Sequence, residues 1–202
     1  TIEFFKIHPE KIPFFEHILV DEYQDVNDIQ IELLDLLLPK NLFCVGDPRQ
    51  AIFGWRGANV NYILELKNKF PDCEIISLTK NYRSKKTIVD FMNKSICCLG
   101  LPDLETSLSN EGELALCSFE NVDAEYNFVI GKILSSQVPL EEIFVLARTN
   151  KQLEEFSNLL KRRSIPYILK EENSTEELKK GKLVLATVHA IKGLEAEIVF
   201  LI

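Results

Sequence analysis

Nowhere in the 202 residues is there a Gly-x-x-x-x-Gly-Lys-Ser/Thr loop: Gly131-Lys132 and Gly181-Lys182 lack both the second glycine at that spacing and the hydroxyl that comes after it. The amide cradle that many ATPases wrap around nucleotide phosphates is therefore not among these residues. The five cysteines, Cys44, Cys73, Cys97, Cys98 and Cys117, include no Cys-x-x-Cys pair, which argues against a structural zinc site. Odd in number and mostly set in apolar runs, they point to buried thiols in a reducing cytosol rather than to a disulfide frame. No apolar run approaches the ~18 residues that span a bilayer, and no charged-then-apolar export segment opens the chain. A cytoplasmic location without membrane contact is the expectation. Positive charge is also short, since 31 acidic against 23 basic residues leave a net −8. Any contact with nucleic acid must be local, through a groove or a stacking platform. The first residue is Thr1 and the last run, Ile198 to Ile202, is apolar, so both ends read as cut.

What is present is ordinary globular composition, 46% hydrophobic and 27% charged, in a chain long enough for one good core or two small ones. Ile18–Val20 reads as a strand buried on both faces. Asp28 is placed to cap a helix with Ile29, Leu33, Leu36 and Leu37 on one face, ended by Pro39. Strand Leu42–Val45, a helical spacing of Val60, Ile63 and Leu64, and strand Glu74–Leu78 come next. Ser84 is placed to cap a helix with Ile88, Phe91, Met92 and Ile96 inward. Gly100–Gly112 is a polar connector. Beyond it come strand Leu114–Cys117, a helix burying Tyr126, Val129, Ile130 and Ile133, and strand Ile143–Ala147. A helix burying Leu153, Phe156 and Leu160 and a strand from Pro166 to Leu169 lead to a charged loop, Glu171–Lys182. Strands Leu183–Thr187 and Ile198–Ile202 close the chain. The alternation predicts an α/β fold with parallel sheets in two similar lobes, residues 1–78 and 79–202.

Asp21-Glu22 comes directly after the first strand, at the carboxyl edge where parallel sheets meet their ligands. An acidic pair there suits Mg²⁺ on one carboxylate and a water polarised by the other, although an isolated Asp-Glu is more often a solvated turn. Gly46-Asp47-Pro48-Arg49-Gln50 ends the second strand in the same way, and Gln50 is a neutral group suited to orienting a water or sensing a terminal phosphate. Phe53, Trp55 and Arg56 come next. Rings beside Arg and Gly suit base stacking, and while a Phe is commonly core, the chain's only Trp between two glycines is harder to assign there. Tyr82-Arg83 offers a ring and a fixed cation, the arginine-finger chemistry, in a dipeptide common enough to carry no weight alone. From Thr187 to Glu195 a strand runs into what reads as a short helix, with hydroxyl, His189 and backbone amides suited to phosphate contacts. A lone histidine is usually structural.

In this order, VDEYQD, VGDPRQAIFGWRGA, LTKNYRS and TVHAIKGLEAEIVFLI resemble motifs II, III, IV and V of the superfamily 1 UvrD/Rep/PcrA-like DNA helicases. VLARTNKQLEEFSNLLKRRSIPYIL is similar to the stretch those helicases carry between motifs IV and V. The resemblance implies a P-loop NTPase (RecA-like) fold, with part of a first lobe and most of a second. It implies ATP and Mg²⁺ as cofactors, Asp21 as metal ligand, Glu22 as general base, Gln50 at the γ-phosphate and Arg83 as finger. Tyr82 would stack on adenine and Glu195 would contact the ribose. Phe53, Trp55, Arg56, Arg148, Thr187 and His189 would face single-stranded DNA or a single-strand/duplex junction. Pro48-Arg49, Ala190-Ile191 and Ala196 depart from the family pattern, and only Lys170–Gly181 stands where the family tends to carry a large helical insertion. The function implied is a fragment of an ATP-dependent helicase or translocase moving 3′ to 5′, inactive alone for want of the phosphate loop. A catalytically silent DNA-binding or scaffold module and the helicase arm of a helicase-nuclease are the alternatives. Protein partners are not legible.

Overall fold

His17–Val20 (β1) and Asn41–Cys44 (β2) pair in parallel, with Ile18 opposite Leu42 and Val20 opposite Cys44. A parallel pair needs a crossover, and Asp28–Leu37 (α2) supplies it. A short helix, Ile2–Ile7 (α1), precedes them. The computed structural model describes residues 1–37, 39–171 and 180–202, which divide into two units, Thr1–Ala115 and Leu116–Ile202. Parallel strands and helices build both, so the α/β class holds.

In the first unit, α2 starts one residue earlier than expected. Asn27 Oδ1 accepts from the Gln30 amide at 3.0 Å while Gln30 Oε1 accepts from the Asn27 amide at 2.9 Å, a reciprocal cap that displaces Asp28 from the role. The inward face shifts with it. Ile31 is buried and Ile29 is 66% exposed, since residues two apart on a helix point to nearly opposite sides. Ile31 joins Tyr23 and Val26 in a small core, against which Tyr62, Ile63 and Leu66 pack from Asn61–Leu64 (α3) and Leu66–Lys69 (α4). Tyr62 donates to Asp28 at 2.6 Å and Lys69 to Asp35 at 2.6 Å, pinning these turns to α2. Burial pushes the Tyr23 phenol up to about 12 and the Cys44 thiol up to about 11.

Residues 74–78 are not a strand. Ile75, Ile76 and Leu78 are exposed, and an apolar run becomes a strand only where a neighbour takes up its backbone hydrogen bonds. The ladder forms further on, as Lys80–Asn81 (β3) in parallel with Glu105–Thr106 (β4), around the helix Lys86–Ser95 (α5). Ser84 does not cap α5; its amide donates to Asn81 Oδ1 at 2.7 Å. The buried face of α5 is Val89, with Phe91 exposed. All five cysteines are free, but none is buried: Cys44 and Cys73 are half-buried, and Cys97, Cys98 and Cys117 are exposed.

The second unit runs Val122–Ser135 (α6), Ile143–Ala147 (β5), Asn150–Arg162 (α7), Tyr167–Lys170 (β6), Leu183–Thr187 (β7) and Ile198–Leu201 (β8). Its strands lie in the order β6-β7-β5-β8, all parallel. The expected inward residues of α6 and α7, among them Tyr126, Ile130, Phe156 and Leu160, form one core with Ile143, Val145, Leu183 and Leu185. The Tyr126 and Phe156 rings meet edge to face with centroids 5.2 Å apart. Thr149 and Gln152 close a capping box at the start of α7. Leu114–Cys117 is irregular rather than a strand, with Leu116 fully exposed, again an apolar run without a partner. Most of the charged loop after Glu171 lies outside the described residues. Among the described residues no helix is long and apolar enough to cross a membrane.

Candidate functional site

The ends of β1 and β2 are brought level by two backbone bonds, Val45 N–H to Val20 O at 2.8 Å and Tyr23 N–H to Val45 O at 2.9 Å. Asp21 and Glu22 leave this edge exposed, and Glu22 takes a left-handed backbone, φ 51°. Its amide donates to Asp21 Oδ1 at 2.9 Å. The chain then turns through Tyr23–Asp25. On the second strand end, Asp47 caps the turn Pro48–Gln50: Oδ1 accepts from the Arg49 amide at 3.0 Å and Oδ2 from Gln50 Nε2 at 3.1 Å. The Arg49 guanidinium stays with this turn, 3.5 Å from Asp47, and reaches the Pro102 carbonyl. Asp21, Glu22 and Asp25 line a cleft of about 300 Å³ with Val20, Val26 and Leu33.

Between the two strand ends lies a residue that spacing and motif did not single out. Gln24 is 1% exposed; its Nε2 donates to Glu22 Oε2 at 2.6 Å, and its Oε1 accepts from the Asp47 amide at 2.9 Å. Gly46 makes room for it, since a Cβ there would lie 2.5 Å from Gln24 Oε1. A lone glutamine in an acidic turn carries no periodicity, so only its burial reveals it. Asp21, Glu22 and Gln50 are thus gathered on one edge.

Gly54–Arg56 forms a single tight turn, ended by Gly57 at φ 85°. The Arg56 guanidinium lies 4.6 Å from the Trp55 ring and 5.1 Å from the Phe53 ring, a cation held against two aromatic faces. Trp55 is 62% exposed while Phe53 is half-buried. An antiparallel bridge between Asn27 and Ala58, and the Asn59 amide donating to Val26 O at 3.0 Å, tie this platform to the turn after Glu22.

Tyr82 and Arg83 sit on another turn of the same unit, shaped by Asn81 Oδ1 accepting from the Arg83 amide at 2.9 Å. The exposed Tyr82 ring carries Lys80 Nζ 5.3 Å from its centroid. In the second unit, Ala147 and Thr187 face each other at the ends of adjacent strands β5 and β7. Just beyond them, Arg148 Nη1 lies 3.5 Å from His189 Nε2. Thr187 Oγ1 accepts from the Ala190 amide at 3.2 Å, and the buried Ile191 anchors the next few residues. These form a series of turns through Gly193, φ 89°, rather than the expected short helix, and Glu195 beyond them is exposed.

Among the described residues, no group of three or more His, Cys, Asp or Glu side chains is arranged to hold a metal. Mg²⁺ is commonly held by only one or two carboxylates together with substrate phosphates, a set to which Asp21 at the end of β1 would contribute an oxygen.

Two family models match the chain: the UvrD/REP helicase N-terminal domain over residues 12–71 and the UvrD-like helicase C-terminal domain over residues 76–174. A Leuconostoc citreum protein named ATP-dependent DNA helicase PcrA is 33% identical over 180 residues, 83% of this chain and 24% of that protein. Its namesake in Staphylococcus aureus is 34% identical over 181 residues, 84% of this chain and 25% of that protein. A Mycoplasma pneumoniae protein named "Probable DNA helicase" is 35% identical over 196 residues, 91% of this chain and 35% of that protein. The chain thus spans between 24% and 35% of the length of these relatives.

Proposed function

The chain belongs to the UvrD-like helicase family, and we propose that it supplies the hydrolytic edge and part of the DNA track of an ATP-dependent helicase or translocase. The observation that carries this reading is the convergence of Asp21, Glu22 and Gln50 on adjacent ends of two parallel strands, tied through the backbone to the Trp55 platform. We place the lobe boundary between residues 78 and 79 on the order of the motifs, although Thr1–Ala115 packs as one unit.

In this reading Asp21 holds Mg²⁺, which when bound neutralises charge on the phosphate oxygens. Glu22 accepts a proton from the attacking water on its carboxylate, and Gln50 orients that water toward the γ-phosphate. Arg83 offsets charge developing on the transferred group, Tyr82 stacks on the base and Glu195 contacts the ribose. Trp55, with Phe53 and Arg56 behind it, takes the bases of single-stranded DNA, or of a single-strand/duplex junction, by stacking rather than by sequence readout. Arg148, Thr187 and His189 offer a cation, a hydroxyl and an imidazole to the DNA backbone. Movement is 3′ to 5′ and the setting cytoplasmic.

The test is Glu22→Gln in the intact protein that contains this chain. ATP binding should persist while DNA-stimulated hydrolysis falls by about 10²–10⁴-fold, the range of a lost general base. Wild-type turnover would sink the assignment. The 202 residues alone, without a phosphate loop, should hydrolyse ATP negligibly.

A further inference from the structure

Gln24 is the most deeply buried polar side chain among the described residues, in a turn preceded by two exposed carboxylates. A primary amide is costly to bury without partners, so its bonds define its place. The Asp47 backbone N–H can only donate, which requires the amide oxygen to face Asp47 and the nitrogen to face Glu22. The second Nε2 hydrogen has Asp25 Oδ2 at 3.5 Å. Asp47 carries the connection on, through its carboxylate, to Gln50 Nε2. Glu22, Gln24, Asp47 and Gln50 therefore form one hydrogen-bonded chain from the first strand end to the second.

We propose that Gln24 is a positioning residue for ATP hydrolysis, fixing the Glu22 carboxylate to the strand end that bears Gln50, so that the base and the water-orienting amide share one frame. This rests on the reading of Glu22 as the base. Glu22 is exposed, and its side chain has several rotamers to choose among; a donor anchored in the protein interior selects one. A carboxylate has several acceptor sites, so a bond from Gln24 at Oε2 does not exhaust its capacity to accept a proton. A glutamate at position 24 would set a third carboxylate against Glu22 and Asp25, and an asparagine would fall short of spanning them.

The experiment uses the intact protein, with two variants. Gln24→Met removes both halves of the bridge. Gln24→Glu keeps the acceptor for the Asp47 amide and puts a carboxylate oxygen where the donor faced Glu22. Both should lower kcat of DNA-stimulated hydrolysis by at least about tenfold, while KM for ATP and the Kd of a non-hydrolysable ATP analogue stay within about threefold. In a Glu22→Gln background, Gln24→Glu should cost nothing further, because its effect passes through Glu22. Wild-type kcat in Gln24→Glu overturns the proposal, as does a fall in kcat matched by an equal loss of analogue binding. Should Gln24→Met fail to fold, Gln24→Glu decides alone. If Glu22→Gln itself turns over normally, the reading of the base fails and this proposal with it. An inactive Glu22→Gln beside a fully active Gln24→Glu removes the proposal only.

Discussion

In Leu116–Ile202 the central strands β5 and β7 are buried at all but one position each, whereas along β1 and β2 half-buried residues alternate with exposed ones such as Leu19 and Phe43. Arg148 and Thr187 therefore emerge from strands clamped between apolar side chains. Asp21 and Glu22 emerge from a thinner ladder, where polar bonds do the aligning: the Gln24 amide, the Asp47 cap and the Tyr23 backbone. An apolar core places a strand end by many weak contacts and tolerates the loss of detail in any one. A hydrogen-bonded edge depends on a few atoms, and its failure is sharp and local.

Three substitutions break or sharpen that contrast. Phe156→Ala, in the core of the second unit and 0% exposed, should destabilise that unit by about 3–5 kcal/mol. Hydrogen exchange would show it as lost protection along β5 and β7, with the Tyr23–Asp25 turn unchanged; equal loss in both units would erase the distinction. Gly46→Ala should cost about 1–3 kcal/mol by overpacking against Gln24 and Ile63, with faster exchange confined to the amides of Tyr23 and Asp47. A neutral result would mean that the polar edge yields more easily than its geometry indicates. Trp55→Ala, at an exposed platform, should change stability by no more than about 0.5 kcal/mol. Fluorescence titration with single-stranded DNA should nevertheless show a loss of about 1–3 kcal/mol for each base that stacked there.

The second unit is largely legible in the sequence because its signals are apolar and periodic. Tyr126, Val129, Ile130 and Ile133 mark one helical face, Leu153, Phe156 and Leu160 another, and Ile143–Ala147 and Leu183–Thr187 are strand-length apolar runs. Glu74–Leu78 and Leu114–Cys117 carry the same local signal and form no strand, because pairing is a property of two segments and composition reports on one. The apolar spacing after Asp28 points Ile29 inward and passes over Ile31, a phase error that one residue at a helix start can produce. At the candidate site, the exposed carboxylates and the tryptophan stand out by type and position. Gln24 does not, since whether a glutamine is buried between two strand ends depends on contacts made from position 22 to position 47.

The backbone of Glu22 sets a further condition on this edge. At φ 51° it lies where glycine is at ease and asparagine tolerable, while a longer L-residue gives up about 1–2 kcal/mol. Folding alone would steer this position toward glycine, a change that relieves the turn and deletes the carboxylate in one step. On the proposed role of Glu22 as the base, mutational drift toward stability and retention of hydrolysis pull in opposite directions at residue 22. A descendant of the intact protein in which that proposed role has lapsed should lose its glutamate here early.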